Sequence, residues 1–107
     1  MKLIKSLEEF EDVVIRAGKP VVVDFYADWC GPCRALAPIM ESVAHKKQGL
    51  AEFAKVNVDE VAELTFKYGI MTIPTLLFFK DGEVKNKSVG LINEDELTNF
   101  VDMLIND

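Results

Sequence analysis

Two cysteines give this sequence its clearest chemical signal, and only Gly31 and Pro32 separate them. Cys30 and Cys33 lie where an apolar stretch ends and a helical pattern begins. A thiolate at a helix N-terminus is stabilised by unpaired N–H groups and the positive end of the helix dipole, which lowers a thiol pKa. We therefore predict that Cys30, exposed on the turn, is the nucleophile. Cys33, one helical turn further on, is predicted to be the resolving thiol that releases a reduced substrate.

Three other interpretations of the cysteine pair were weighed. A structural disulfide closing a loop of about four residues would stabilise the fold by only about 1.9 kcal/mol. A zinc site needs four ligands, and the one histidine, His45, lies roughly 18 Å along the predicted helix. The cysteines could also be small apolar residues of the core, but the flanking Trp29, Gly31 and Pro32 are not typical of a core segment. The redox interpretation is favoured, and no metal site is predicted.

Asp24 is the next residue of chemical interest, because it is the only polar residue between Val21 and Ala27. It is either an exposed carboxylate at a strand end or a buried acid whose pKa is raised by desolvation. In the second case it is placed to accept the proton of Cys33. Lys55, on a later strand, is the natural charge near it, and is equally well interpreted as a solvated strand lysine.

The elements that must position these residues follow from hydrophobic periodicity. Ser6 and Glu9 form a capping-box pattern, which predicts a helix to about Ala17 with Leu7, Phe10 and Val14 on one face. A second helix contains Pro38, and Asp81-Gly82 indicates a two-residue hairpin. The remaining predicted elements are strands at Val21–Ala27, Ala51–Val58, Thr75–Phe79 and Glu83–Val89, a helix at Val61–Tyr68 and a final helix capped by Asn93.

The resulting order, βαβαβαββα, predicts an α/β fold in which helices cover both faces of a mixed sheet. A length of 107 residues fits one domain, 1–107. The net charge of −6 and the pI near 4.7 argue against a nucleic-acid partner and against docking on an anionic membrane. No signal-peptide core or membrane-spanning run is present, so we expect a soluble, cytoplasmic protein.

The run Val-Asp-Phe-Tyr-Ala-Asp-Trp-Cys-Gly-Pro-Cys-Arg, from Val23 to Arg34, closely resembles the active-site segment of the bacterial-type thioredoxin family. The resemblance covers essentially the whole chain and implies a five-stranded mixed sheet flanked by four helices. Tyr26, Arg34 and Met71-Thr72 depart from common family residues, and they bear on substrate and reductase preference. The match continues through Ala37-Pro38, Lys55–Asp59, Tyr68–Ile70, Ile73–Thr75, Asp81-Gly82 and Gly90.

The resemblance also implies an activity. A thioredoxin-like protein acts as a monomer that reduces protein disulfides, holds no bound cofactor, and is reduced again by a flavin-containing, NADPH-dependent thioredoxin reductase. Pro74 looks like the family's cis proline beside the sulfur pair, and the backbone at Ile73 would pair with an extended substrate segment. The resemblance places the apolar docking patch at Trp29, Gly31, Pro32, Met71, Thr72, Ile73, Gly90 and Leu91.

Two alternative functions remain open at this point. One is a disulfide oxidase or isomerase, against which the Gly-Pro pair between the cysteines counts, since such enzymes usually have His in place of Pro32. The other is a binding module that uses the apolar patch and in which the thiols are secondary. A Cys30→Ser variant separates them, because catalysis needs the thiol and a scaffold does not.

Overall fold

The computed structural model describes residues 1–107 and has the predicted order of strands and helices. The final strand begins and ends where the sequence predicts, the other strands with predicted ranges and the third helix agree to within one residue at each end, and the first helix differs. The elements are β1 (Lys2–Ile4), α1 (Leu7–Phe10, continued by a π-helical segment, Glu11–Ile15), β2 (Val21–Tyr26), α2 (Gly31–Lys46), β3 (Glu52–Asn57), α3 (Ala62–Lys67), β4 (Thr75–Lys80), β5 (Glu83–Val89) and α4 (Glu94–Ile105).

One five-stranded sheet runs through the molecule in the order β1-β3-β2-β4-β5. β3 pairs in parallel with both β1 and β2, whereas β4 is antiparallel to β2 and to β5. The β4–β5 hairpin turns through Asp81 and Gly82, whose φ angles of 54° and 79° are both positive, as a tight two-residue turn requires. The mixed sheet is confirmed, with β2 at its centre.

Helices cover both faces of the sheet. Because side chains alternate along a strand, Val21, Val23 and Phe25 of β2 pack into a core with α1 and α3. Val22 faces the other way, into a core formed with α2 and α4. Asp24 lies two positions after Val22 on the same strand, so its side chain faces the same side of the sheet, the side that α2 covers.

The first helix differs from its prediction. Ser6 Oγ accepts the Glu9 N–H at 3.0 Å as expected, but the Glu9 carboxylate accepts from the Lys5 N–H, so the reciprocal half of the capping box is displaced by one residue. The segment widens into a π-helix at Glu11–Ile15 instead of continuing as an α-helix to Ala17. Leu7, expected on the buried face, is 40% exposed.

The two helices on the site's side of the sheet agree better with the sequence. α2 buries Leu36, Met40 and Val43 and contains Pro38 within its length. α4 begins with a complete capping box, in which Asn93 Oδ1 accepts the Glu96 N–H and Glu96 Oε1 accepts the Asn93 N–H. No helix combines the length and the apolar character needed to cross a membrane.

Candidate active site

The cysteine pair lies at the junction between β2 and α2. Cys30 is the N-cap residue of α2, with extended backbone angles (φ −89°, ψ 112°), and its Sγ accepts the Cys33 N–H at 3.3 Å. Pro32 occupies the first turn, where its missing N–H leaves no intrahelical bond unmade. No acidic residue is present in that turn to oppose a thiolate. The helix N-terminus thus directs the Cys33 N–H at the Cys30 sulfur.

The two sulfurs are joined in a disulfide, with 5.2 Å between the Cα atoms. They pack with Ala27, and the partly buried Tyr26 and Ile73 close around them. The expectation that Cys30 is the exposed member of the pair is wrong for this disulfide form, because Cys30 is 5% and Cys33 4% exposed. Position on the helix, and not exposure, distinguishes them: Cys30 caps α2 and Cys33 lies inside it.

Asp24 is buried, with 3% of its surface exposed, so the interpretation as an exposed strand-end carboxylate is wrong. Its Oδ1 atom has no hydrogen-bond partner. Burial raises the pKa of this carboxyl to about 7, because desolvation disfavours the charged form, and the positive charge of Lys55 opposes the rise. A carboxyl that titrates near neutrality is able to take up and release protons at physiological pH.

Lys55 lies directly beside Asp24, as its register partner on the neighbouring strand β3. The two side chains form no ion pair within 4 Å; the Lys55 ammonium lies over the Tyr26 ring, 5.0 Å from the centroid. A cavity of about 190 Å³ is lined by Asp24, Lys55 and Cys33 among others. The structure therefore brings together the two cysteines, the acid and the lysine that the sequence singled out.

The backbone before β4 supplies the other wall of the site. The Ile73–Pro74 peptide bond is cis, as the resemblance implied. The Ile73 carbonyl oxygen lies 3.8 Å from Cys30 Sγ, and the Pro74 carbonyl accepts the Gly90 N–H at 2.8 Å. The Ile73 region and Gly90 are thus held together beside the sulfurs.

Most of the residues assigned to the docking patch are open to solvent. Trp29 is 69% and Met71 95% exposed, and Leu91 is half-exposed. Gly31, Pro32 and Thr72 are also exposed. Large apolar side chains left uncovered in this way are typical of a surface that contacts another protein.

The sequence reasoning did not single out two further residues at the site. Asp59 Oδ2 accepts the Trp29 indole N–H at 2.8 Å, and Asn57 Oδ1 holds the Asp59 backbone N–H at 2.9 Å. Tyr26 was noted only as a departure from the family pattern, although its ring contacts both the cysteine cluster and Lys55. Asp59 lies in the matched run Lys55–Asp59. Its hydrogen bond with Trp29 joins residues 30 positions apart, so no local sequence pattern predicts it.

The zinc interpretation of the cysteines has no geometric support. The two sulfurs are bonded to each other, and His45 lies in the last turn of α2, at the opposite end of that helix from Cys30. No group of three or more His, Cys, Asp or Glu side chains is arranged to hold a metal ion.

Comparison with known proteins decides the family. A family model described as Thioredoxin matches residues 2–103. The chain belongs to the thioredoxin family. It is 44% identical to the thioredoxin of Pseudomonas aeruginosa over 93 residues, which are 87% of this chain and 86% of that protein. It is 42% identical to the thioredoxin of Rickettsia bellii over 94 residues, which cover 88% and 90% of the two chains.

Solved thioredoxin structures have the same fold. A Plasmodium falciparum thioredoxin superimposes with a TM-score of 0.88 at 34% identity, covering 96% of this chain and 98% of that one. A Fasciola hepatica thioredoxin gives the same TM-score and coverage at 37% identity. This thioredoxin-family protein is therefore a thiol–disulfide oxidoreductase that reduces protein disulfides. The names of these relatives favour that activity over the oxidase, isomerase and binding-module alternatives.

Proposed function

We propose that Cys30 is the nucleophile, Cys33 the resolving thiol and Asp24 the proton acceptor of this reduction. The observation that carries the proposal is the position of Cys30 as N-cap of α2, with Cys33 behind it in the wall of the cavity that contains the buried Asp24. The helix N-terminus stabilises the Cys30 thiolate through its N–H groups. The thiolate attacks a substrate disulfide, forms a mixed disulfide and expels the first substrate sulfur as a thiolate.

The second half of the reaction needs Cys33 to lose a proton. Asp24, which lines the same cavity, is proposed to accept it; an acceptor with a pKa of about 7 matches a thiol much better than an ordinary aspartate does. The Cys33 thiolate then attacks Cys30 Sγ, forms the Cys30–Cys33 disulfide and expels the second substrate sulfur. Two electrons have passed from the dithiol to the substrate, which leaves as two thiols once protonated.

Substrate binding is proposed to use the backbone at Ile73 and the exposed side chains around it. The Ile73 carbonyl lies beside Cys30 Sγ, so a segment paired with that backbone would carry its disulfide to the sulfur. Exposed apolar side chains, Trp29 and Met71 above all, would cover the flanks of the segment.

The regenerating partner is proposed to be a flavin-containing thioredoxin reductase that takes electrons from NADPH, which makes this protein an electron carrier with no bound cofactor of its own. The support is the resemblance of the Trp29–Arg34 segment to the family's active site. NADPH oxidation by such a reductase, with a disulfide protein as terminal acceptor, should require this protein. A Cys30→Ser variant should not support the oxidation.

The cytoplasm is the proposed compartment, because a dithiol reductant functions where thiols are kept reduced. Relatives named as mitochondrial thioredoxins, such as the Bos taurus protein at 43% identity, make the compartment worth testing. Cell fractionation after rapid thiol alkylation locates the protein and its redox state together. Recovery of the protein, mainly oxidised, from an oxidising compartment would contradict the proposal.

The assignment of the two cysteines is tested by trapping. A Cys33→Ser variant should form a mixed disulfide through Cys30 that it cannot resolve, so target proteins should remain covalently attached on non-reducing gels. A Cys30→Ser variant is the matched control and should trap none. If Cys30→Ser traps targets and Cys33→Ser does not, the two roles are reversed.

A further inference from the structure

Tyr26 contacts both the disulfide and the Lys55 ammonium, which have separate places in the proposed mechanism. Its ring is partly buried against the Cys30–Cys33 cluster at the end of β2. The Lys55 ammonium lies over the same ring, 5.0 Å from its centroid. A cation at this distance is attracted by the negative face of the aromatic ring. The side chain beside the sulfurs thus also contacts a positive charge.

The ring holds an ammonium group that has a second partner within reach. Asp24 is the register neighbour of Lys55, on the adjacent strand, and its Oδ1 has no hydrogen-bond donor. Lys55 nevertheless forms no ion pair with it, and the ammonium acts on the carboxylate only through its charge. The ammonium thus lies over the Tyr26 ring and is not bonded to the carboxylate.

Lys55 is the one charged group that opposes the raised pKa of Asp24. The cavity of about 190 Å³ beside Asp24 is lined by seven residues with ionisable or charged groups: Met1, through its α-amino group, and Asp24, Tyr26, Asp28, Cys33, Arg34 and Lys55. The Arg34 guanidinium donates to the Asp28 carbonyl oxygen at 2.8 Å. On the opposite strand, β4, the neighbour of Asp24 is the apolar Leu76. Lys55 is therefore the cation whose placement depends on Tyr26.

We propose that Tyr26 is a positioning residue, whose ring face holds the Lys55 ammonium beside the Asp24 cavity and thereby sets the proton affinity of Asp24. The importance of this for catalysis rests on the proton-acceptor role proposed above. The ring face is the essential feature and the phenolic hydroxyl is not, because the ring's quadrupole attracts the cation.

Loss of the ring should release Lys55 to water. Lysine side chains extend their ammonium groups into solvent when nothing holds them, and a hydrated, more distant ammonium stabilises the Asp24 carboxylate less. The Asp24 pKa should therefore rise in Tyr26→Leu. Tyr26→Phe retains the face of the ring and should leave the pKa of Asp24 near that of the parent.

The experiment measures the Asp24 pKa by carboxyl-carbon NMR titration of the oxidised protein. Six proteins are compared: the parent, Tyr26→Phe, Tyr26→Leu, Lys55→Met, the double variant with Tyr26→Leu and Lys55→Met, and a control, Lys67→Met. We expect Tyr26→Leu to raise the Asp24 pKa by about half a unit to one unit. In the Lys55→Met background the same change should produce no such rise. Lys67→Met is the matched control, since Lys67 lies over Tyr68, 5.7 Å from its centroid, and does not line this cavity.

The double variant separates the proposal from a purely structural role of the ring. If the ring only shields the cavity from water, Tyr26→Leu will shift the Asp24 pKa equally in both backgrounds, and the proposal is overturned. An unchanged Asp24 pKa in Tyr26→Leu overturns it as well. A Tyr26→Phe shift as large as that of Tyr26→Leu would assign the effect to the hydroxyl and contradict the role of the ring face.

The resolving step provides a second readout. In Tyr26→Leu, the pH midpoint for resolution of a mixed disulfide should move upward by the same amount as the Asp24 pKa. If the Asp24 pKa moves and this midpoint does not, the proton-acceptor role of Asp24 fails, whereas the positioning of Lys55 by Tyr26 is supported. The two proposals are thus distinguishable.

Discussion

Two regions of this protein place a carboxylate beside a lysine, with opposite results. Where α2 meets α4, Glu94 accepts a hydrogen bond from Lys46 at the surface, and this bond lowers the pKa of Glu94. Beside the sulfurs, Asp24 and Lys55 are register neighbours that form no bond, and burial raises the pKa of Asp24 to about 7. The same two groups, a carboxylate and an ammonium, make a surface contact in one place, whereas in the other the carboxyl titrates near neutrality.

The difference shows that burial, and not the nearby opposite charge, determines the behaviour of Asp24. Desolvation disfavours its charged form by more than Lys55 recovers, so the charged acid destabilises the fold at neutral pH. The surface pair, Lys46 and Glu94, loses little hydration when it forms, and it contributes little to stability. An acid with a raised pKa in the wall of this cavity suits the proposed proton transfer from Cys33.

The largest expected effect comes from removing the buried charge. The folded pKa of Asp24, about 7, lies above its ordinary value of 3.8, so the folded state binds the proton more tightly. Stability is therefore greatest below the unfolded pKa and is lost as pH rises from about 4 through about 7. Asp24→Asn should raise the free energy of unfolding at pH 8 by about 4 kcal/mol, as measured by urea denaturation.

The pH dependence provides the internal control for this stability prediction. At pH 3 the carboxyl is protonated in both folded and unfolded states, so the parent and Asp24→Asn should differ much less than at pH 8. Equal stabilisation at both pH values would indicate that Asn packs better than Asp, and that the loss of a buried charge is not the cause. No stabilisation at pH 8 would contradict the burial of the charged form.

Around the cysteines, the sequence predicted which residues are chemically important better than it predicted which side chains touch. Cys30, Cys33 and Asp24 were predictable because each departs from the pattern around it: two thiols at a helix start and one acid in an apolar strand. The contact of Lys55 with Tyr26 was not predictable, because nothing in the sequences of adjacent strands indicates which neighbouring side chain a lysine contacts.

Local periodicity was equally limited at the first helix. The spacing of Leu7, Phe10 and Val14 correctly indicated one apolar stripe, and the last two are buried. The exposure of Leu7 depends on whether another element covers it, which is a property of the assembled fold. The π-helical segment at Glu11–Ile15 was not predicted either: four of its five residues (Asp, Val, Val and Ile) are weak helix formers, but a weak helix propensity does not distinguish a π-helix from an α-helix.

A smaller effect is expected on the rate of the second chemical step. Asp24→Asn removes the proposed acceptor, so resolution of a preformed mixed disulfide at pH 7 should slow about tenfold, with water or hydroxide replacing the acid in part. Single-turnover release of a labelled substrate thiol measures this step alone. Glu94→Gln is the matched control, since it removes a carboxylate far from the sulfurs. Equal rates in Asp24→Asn and the parent would remove Asp24 from the mechanism.

The smallest effect is expected at the surface pair. Lys46→Met removes the partner of Glu94 and should lower the free energy of unfolding only slightly, by a loss that shrinks in high salt. Urea denaturation at two salt concentrations measures both the loss and its salt dependence. A salt-independent loss as large as the gain expected for Asp24→Asn would show that this pair is not an ordinary surface contact, and would undo the contrast with Asp24.

The reduction potential of the Cys30–Cys33 couple tests the central claim, that this dithiol donates electrons to protein disulfides. Equilibration with glutathione buffers, followed by alkylation and mass measurement, gives the value directly. The general value for thioredoxins is about −270 mV, and we expect this protein to lie near it. A potential near the value of about −180 mV typical of disulfide isomerases, or more oxidising still, would contradict a role as a reductant.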